Sequence, residues 1–329
     1  MTLNVHILNT PEPQNLRFLK LQLDSDVLTT TGSEVPSPAE YHILVAGRPN
    51  RNHLTASSNL HTLVIPYAGL PESTRHLMLE FPEIAVHNLH HNAAPTAEMA
   101  LALLFAAAKF LVPFDRRFRQ SDWRPRYQPN PSLLLEGKTV LLLGYGHIGQ
   151  HIGRVCQALG MQVLAIRRQL AAVEASSAGV SVHPPQDLHA LLKHTHVLIV
   201  TLPDTPETDD LFGERELALM PPGGLLVNVG RGPVVNPGAL YFALRTGQLR
   251  AAGLDVWYNY PKSPEERANT SPAEFPFHEL DNVVMSPHRG GGSDQTEVLR
   301  MTHLADCLNA AARGEPIPNR VDLDGQEFI

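Results

Sequence analysis

The chain has 329 residues, 26 Lys and Arg against 33 Asp and Glu for a formal net charge of -7, and 43% hydrophobic residues. At roughly 100–200 residues per domain, this length predicts about two domains, each able to bury a core. The 18% charged fraction lies below the roughly 25% of ordinary soluble chains and excludes charge-rich disorder, and the acidic balance offers no field for polyanions, so no nucleic-acid partner is expected.

Cys156 and Cys307 have no CxxC partners, which excludes a disulfide framework and a zinc ribbon and points to a reducing compartment, taken as the cytoplasm. The opening MTLNVHILNT lacks a basic n-region. The most apolar stretch, residues 99–114, is interrupted by Lys109 and Pro113, and it falls short of the ~20 residues of a membrane span. Neither an export signal nor a membrane partner is expected.

In chain order, strand-like runs at 4–8, 42–46, 63–66 and 84–87 predict a smaller α/β unit. Pro95 and Glu98 open a strongly apolar helix running to about Leu111. The Arg- and Pro-rich segment 116–131 reads as an exposed loop. From Lys138 onward, strands at 139–144, 162–166, 180–182, 197–202, 225–229, 251–256 and 283–286 alternate with helices at 149–159, 187–193, 214–220 and 237–246, the pattern of a doubly wound parallel sheet. A last helix, 294–312, stops at Gly314 and Pro316.

Directly after the first strand of the regular half stands LLLGYGHIGQHIG, with Gly144, Gly146 and Gly149 as GxGxxG. Gly144 permits the tight turn, Gly146 admits a pyrophosphate to the backbone, and Gly149 packs the helix on the strand. The N–H groups about His147 and Ile148 then face the anion from a helix N-terminus. About 20 residues beyond the first glycine, where an acid would bind the ribose 2′-OH of NAD, stand Arg167 and Arg168. Two guanidiniums bind a 2′-phosphate, so NADP(H) is favoured and NAD(H) remains possible. The alternative is that both arginines only decorate a solvated strand end.

Further on come VTLPDTPET, LLVNVGRGPVVNPGAL, AAGLDVW and VVMSPHRGG. With these motifs in this order, the chain resembles the D-isomer-specific 2-hydroxyacid dehydrogenases from about residue 60 to 315. The resemblance implies an α/β fold: a doubly wound Rossmann dinucleotide-binding domain (98–292) plus a smaller, discontinuous, flavodoxin-like α/β substrate domain (1–97 and 293–329). It also implies an NAD(P)-dependent reductase of a small-molecule 2-oxo acid to its D-2-hydroxy acid, assembled as a homodimer about the central domains. Arg231 is expected to bind the substrate carboxylate and polarise its carbonyl, and His288 to donate the proton. Asp255, Val229, Gly230 and Gly290 are expected along the cofactor, with Leu202 and Pro203 on its adenosine side.

One position departs from the family pattern, in which a glutamate five residues after the aspartate pairs with the histidine. Here DVWYNYP places Tyr260 there. A neutral phenol orients an imidazole but does not stabilise imidazolium, so a His288 pKa lower than in glutamate-bearing relatives, with slower reduction or a more acidic optimum, is expected, unless Glu265 or Glu266 folds back to it. In the N-terminal part, Tyr67, Ala68 and Gly69 of YAGLP fall where the family has a carboxylate-binding loop, and Asn92 where formate dehydrogenases have a substrate-contacting asparagine; His90 and His91 are further candidates for shaping the pocket. His87, His90 and His91, and the pair His147 and His151, lack a completing ligand, so no metal is expected. Two other readings stay open: an NADP(H)-binding sensor with little turnover, and a dehydrogenase for a formate-like or aromatic acid with Trp257, Tyr258 and Tyr260 as an aromatic wall.

Overall fold

The computed structural model describes residues 2–168, 170, 174–175 and 179–323. The chain divides into two compact units, Met1–Asn92 with Gly292–Phe328, termed the outer unit, and Ala93–Gly291, the central unit.

The outer unit begins β1 (Leu3–Ile7), α1 (Pro13–Gln22), β2 (Val27–Thr31), β3 (Ile43–Val45), α2 (Arg51–Thr55), β4 (Thr62–Ile65), α3 (Glu72–Met78) and β5 (Ala85–Asn88). Its five strands are all parallel in the order β2-β1-β3-β4-β5, the flavodoxin-like arrangement. Successive side chains alternate between two cores, as the strand period requires. Val5, Ile7, Ile43, Val45 and Val64 pack with the C-terminal Met301, Leu304 and Leu308, whereas Leu44, Leu63 and Ile65 pack with Leu54 and Met78. The tail therefore supplies one cover of this sheet. Sequence patterning misses β2, an edge strand with exposed Leu28 and three threonines.

The central unit opens with α4 (Ala93–Lys109) and α5 (Leu111–Phe118), and continues through β6 (Thr139–Leu143), α6 (His147–Ala158), β7 (Gln162–Ile166), β8 (Glu174–Ala175), β9 (Ser181–His183), α7 (Leu188–Leu192), β10 (Val197–Val200), α8 (Glu214–Leu219), β11 (Gly224–Asn228), α9 (Pro237–Thr246), β12 (Leu249–Leu254) and β13 (Val283–Met285). The final helix, α10 (Thr296–Ala312), belongs to the outer unit. The central sheet runs β13-β12-β11-β10-β6-β7-β9-β8, and every pairing but β8 with β9 is parallel. Both faces are covered: Leu141, Leu143 and Leu226 face one core, and Val140, Leu142, Leu225 and Val227 the other. Unbroken Leu and Val runs are what such burial selects.

Two expectations need correction. The apolar helix starts at Ala93, two residues ahead of Pro95, which lies in its first turn as expected, where no intrahelical N–H is needed. It ends at Lys109 because Phe110 takes a left-handed φ of 52°, and α5 leaves at 66° to it. Residues 116–118, read as loop, are thus the last turn of α5, and Arg124–Tyr127 forms a 3-10 turn. α4 lies against β12, where a Cβ on Gly253 would stand 2.7 Å from the Leu103 Cβ. Among the described residues no single helix is long and apolar enough to cross a membrane.

Candidate active site

The strands β7, β6, β10, β11, β12 and β13 are parallel, so their carboxyl ends form one edge of the central unit. Backbone bonds continue across that edge beyond the strands: Arg167 N to His183 O, Gly144 N to Ile166 O, Thr201 N to Leu143 O, Val229 N to Val200 O, Asp255 N to Asn228 O, and Ser286 N to Leu254 O. The chain passes from β6 outward to β7 and later returns to β10 on the other side of β6, the topological switch point at which such sheets bind ligands.

At that point the glycines behave as the motif requires. Gly144 has φ 98°, and Gly149 lies so close beneath it that a Cβ would come within 2.2 Å of the Gly144 carbonyl oxygen. Gly146 is the N-cap of α6, so the N–H groups of His147 and Ile148 open the helix beside the turn. The Thr201 hydroxyl donates to the carbonyls of Leu143 (3.0 Å) and Gly144 (3.1 Å) and fixes the turn. Gly230 permits a close crossing, since its Cβ would stand 2.5 Å from the Leu202 carbonyl oxygen. Leu202 and Pro203 follow β10 half-buried, and Val229 is buried after β11. A dinucleotide fits this donor set: unobstructed backbone, a helix N-terminus and a close glycine crossing. Arg167 and Arg168 follow β7 and are exposed, with an Arg168 Nη1 4.0 Å from Glu207 Oε2.

Arg231 follows β11. Its carbonyl accepts from Asn228 Nδ2 (2.9 Å), the Gly230 N–H donates to Asn228 Oδ1 (3.0 Å), and its own Nη1 donates to the Gly230 carbonyl (2.8 Å). Asn228 thus clamps the turn that presents the guanidinium. Asp255 directly follows β12 at 1% exposure, and its carboxylate accepts from the Ser286 hydroxyl (2.5 Å), the Arg289 N–H (2.8 Å) and the Gly290 N–H (2.8 Å). These bonds hold both flanks of His288, which sits at a left-handed φ of 56°, a conformation that non-glycine residues keep only when their surroundings enforce it. The imidazole is exposed. Burial of the ring's surroundings and the Arg231 charge lower its pKa below the ordinary value, against a smaller raising by Asp255.

Tyr260 lies where the sequence places it, its ring centroid 5.5 Å from that of His288. Its hydroxyl accepts from the Trp257 N–H (3.1 Å), and desolvation raises its pKa, so it is neutral. Glu265 and Glu266 do not fold back: they lie in a separate 3-10 turn, Glu266 accepting from the Lys262 N–H (2.8 Å), and the charges acting on His288 are those of Arg231 and Asp255. The aromatic wall also dissolves. Trp257 is buried with its indole N–H on the Ser286 carbonyl (2.8 Å), and the Tyr258 hydroxyl is used on the Val235 carbonyl (2.6 Å); Tyr260, at 45% exposure, is the one left accessible.

The remaining candidates belong to the outer unit. Tyr67 is half-buried with its hydroxyl over the Gly47 backbone, and the Ala68 carbonyl of the same Tyr67, Ala68, Gly69 loop accepts from Asn88 Nδ2 (2.6 Å). Asn92 is half-buried at the end of that unit's first segment, whereas His91 is buried. Among the described residues no group of His, Cys, Asp or Glu could hold a metal. Sequence reasoning missed Asn228, Ser286 and Thr201, all inside the quoted motifs; their signal was a small polar side chain at a strand end or one residue beyond it.

The profile of the "D-isomer specific 2-hydroxyacid dehydrogenase, NAD binding domain" matches residues 101–290. The chain is 35% identical over 234 residues to the glyoxylate reductase of Aeropyrum pernix, covering 70% of this chain and 66% of that one. It is 33% identical over 237 residues to the D-3-phosphoglycerate dehydrogenase of Archaeoglobus fulgidus, covering 72% and 42%. The match therefore spans less than two thirds of either relative. A D-isomer specific 2-hydroxyacid dehydrogenase from Xanthobacter autotrophicus Py2, solved with NADPH and MES, shares the fold with a TM-score of 0.76 at 24% identity, over 98% of both chains.

Replacing Asp255 by Asn turns one acceptor oxygen into an NH2 group that faces a donor. The expected cost is about 2–4 kcal/mol, read as a lower denaturant midpoint for the central unit. An unchanged midpoint refutes a clamping role for the carboxylate.

Proposed function

The chain belongs to the D-isomer specific 2-hydroxyacid dehydrogenase family, and we propose that it interconverts a 2-oxo acid and its D-2-hydroxy acid, with NADP(H) preferred. Its central unit is an NAD-binding domain. The observation that carries the activity is the pairing at one sheet edge of a fixed cation, Arg231, with an accessible imidazole, His288, whose proton affinity is depressed by burial and by that cation. Arg231 binds the substrate carboxylate and draws electron density from the adjacent carbonyl. As the carbonyl carbon gains hydride, its oxygen gains charge and takes the proton from His288 Nδ1 or Nε2, giving the alcohol and neutral imidazole. A bound nicotinamide supplies or receives the hydride. Gly144, Gly146, His147, Ile148, Gly149, Leu202, Pro203, Val229, Gly230, Asp255 and Gly290 hold the dinucleotide. In the outer unit, Tyr67, Ala68, Gly69 and Asn92 are proposed as polar contacts for the acid, and Tyr260 as a contact beside His288.

NADP(H) preference rests on Arg167 and Arg168 standing where an acid would repel a 2′-phosphate. A homodimer is proposed through the central units, supported by Leu111, Phe118, Trp123 and Tyr127, which leave an apolar surface exposed along α5 and the turn after it. Cytoplasmic residence is proposed from the two free, buried cysteines, Cys156 and Cys307. Burial of Trp257 and the bond of the half-buried Tyr258 hydroxyl to the Val235 carbonyl argue against a wall selecting an aromatic acid.

NADPH oxidation across a panel of 2-oxo acids tests the reading. Turnover with at least one is expected, and Arg231→Ala should lower kcat/KM by about 10³ or more, since a charged hydrogen-bonding anchor is removed. Saturable NADPH binding with no turnover on any acid replaces the dehydrogenase by a sensor.

Because the His288 pKa is lowered, its proton-donating form is lost as pH rises through a value below 6.5. Reduction should therefore decline over that range, while oxidation, which needs the neutral ring, persists. Tyr260→Glu sets a carboxylate beside the imidazole and should move the limb upward by about 1–2 pH units. A wild-type limb above pH 7, or one that this substitution leaves in place, contradicts the assignment.

Removing both Arg167 and Arg168 side chains to alanine should raise the NADPH dissociation constant about tenfold or more and leave that of NADH nearly unchanged. Equal losses for both cofactors disprove the 2′-phosphate role.

A further inference from the structure

Arg168, two residues past β7, and Glu207, in the loop after β10, bring Nη1 and Oε2 to 4.0 Å. Strand β6 lies between β7 and β10 in the sheet, so the backbones of those two strands stand about 10 Å apart. The contact therefore reaches across β6, beyond its carboxyl end, where the Gly144 turn leads into α6. The loop after β10 leans over that same turn: the Thr201 hydroxyl donates to the Gly144 carbonyl (3.1 Å), and a Cβ on Gly144 would meet Leu202 Cδ2 at 3.5 Å. Glu207 stands in a closed turn. The Thr208 hydroxyl beside it donates to the Pro203 carbonyl (2.8 Å) and accepts from the Thr205 N–H (2.9 Å), and the Asp209 N–H donates to the Thr205 carbonyl (2.9 Å). The segment 203–210, PDTPETDD, carries Asp204, Glu207, Asp209 and Asp210 and no base, so an anion entering from that side meets like charge.

We propose that Glu207 sets the choice between the two nicotinamide cofactors: its carboxylate competes with the 2′-phosphate of NADP(H) for the Arg168 guanidinium. The inference rests on the reading of Arg167 and Arg168 as the 2′-phosphate contacts. Carboxylate and phosphate are both oxyanions that the planar guanidinium binds with the same donors. A 2′-phosphate that takes Arg168 must displace Glu207 and then stands beside the displaced carboxylate, where like charges repel. NADH brings only a 2′-hydroxyl. It leaves the ion pair in place and meets no repulsion. The side chains of the pair are 39% and 53% exposed, so its strength is that of a screened surface ion pair. Competition of that size narrows the preference for NADP(H) without reversing it, and NADH stays usable.

The test measures dissociation constants of NADPH and NADH on the full chain from nicotinamide fluorescence, with no substrate acid present, so the outcome does not depend on turnover. Glu207→Gln keeps the shape of the side chain and removes its charge. At low ionic strength it should tighten NADPH about threefold or more and leave NADH unchanged, and the gain should fade in ~1 M salt. Damage to the fold would instead weaken both cofactors alike. In an Arg168→Ala background the same substitution should change the ratio of the two constants by less than about twofold, because the group competed for is gone. A ratio that Glu207→Gln leaves unchanged or shifts toward NADH, or an equal shift in both backgrounds, overturns the proposal. The underlying reading fails separately. If removing both arginine side chains weakens NADPH while Glu207→Gln moves no ratio, the 2′-phosphate contacts stand and only the competition falls; if removing the arginines spares NADPH, both fall.

Discussion

The carboxylate of Asp255 is withdrawn from water at the end of a buried strand and is held there by three donors from one short loop. A buried anion without such donors is expensive, and each charge-assisted bond recovers part of that cost. Two of the donors are backbone N–H groups on the far side of His288 and the third is the Ser286 hydroxyl before it, so the loop cannot relax without exposing the anion or orphaning the amides. That constraint keeps a non-glycine residue at positive φ. It also explains Gly290: a Cβ there would lie 2.7 Å from Asp255 Oδ2, inside the hydrogen-bonded contact. Pre-set orientation of an acid/base group is worth more to a reaction than its mere presence.

The same logic extends along the sheet. The turns that leave the strands at the carboxyl edge are each fixed by a short polar side chain: Thr201 at the β6 turn, Asn228 under Arg231, Ser286 before His288. The backbone bonds that carry on past the strand ends prevent these turns from shifting independently. Rigid core strands with both faces covered give the edge its registry, and the loops only change which group stands at each place.

Much of this was legible because both-face burial writes long Leu and Val runs and because a phosphate turn demands glycine at fixed spacing. Arg231, His288 and Asp255 were found through their motifs, and the position of Tyr260 beside His288 was implied by the family resemblance, in which that offset from the aspartate carries the histidine's partner. What could not be read was the direction of neighbouring side chains. Trp257, Tyr258 and Tyr260 look alike as a run of aromatics, yet the chain turns after β12, so two of them point into the core and satisfy carbonyls while the third faces the imidazole. Helix limits slipped for a related reason: the end of α4 is set by the left-handed Phe110, a conformation its side chain does not announce. Strand β2 was hidden because an edge strand with one wet face needs little hydrophobicity.

The replacement of a carboxylate by Tyr260 changes which group balances charge around His288. With no carboxylate hydrogen-bonded to the ring among the described residues, burial and then the nearby cation Arg231 disfavour imidazolium, and of the two charges near the ring that of Arg231 outweighs that of Asp255. In the proposed reaction the acid substrate itself carries a negative charge to Arg231. Binding would weaken the Arg231 field, the charge contribution to the lowered His288 pKa, since an ion pair acts on a third group far less than a lone cation does, while the larger contribution of burial stays. That part of the penalty on the proton donor is relieved only when substrate is in place. A carboxylate fixed beside the imidazole would hold the proton whether or not substrate was bound, whereas a phenol leaves that decision to the ligand.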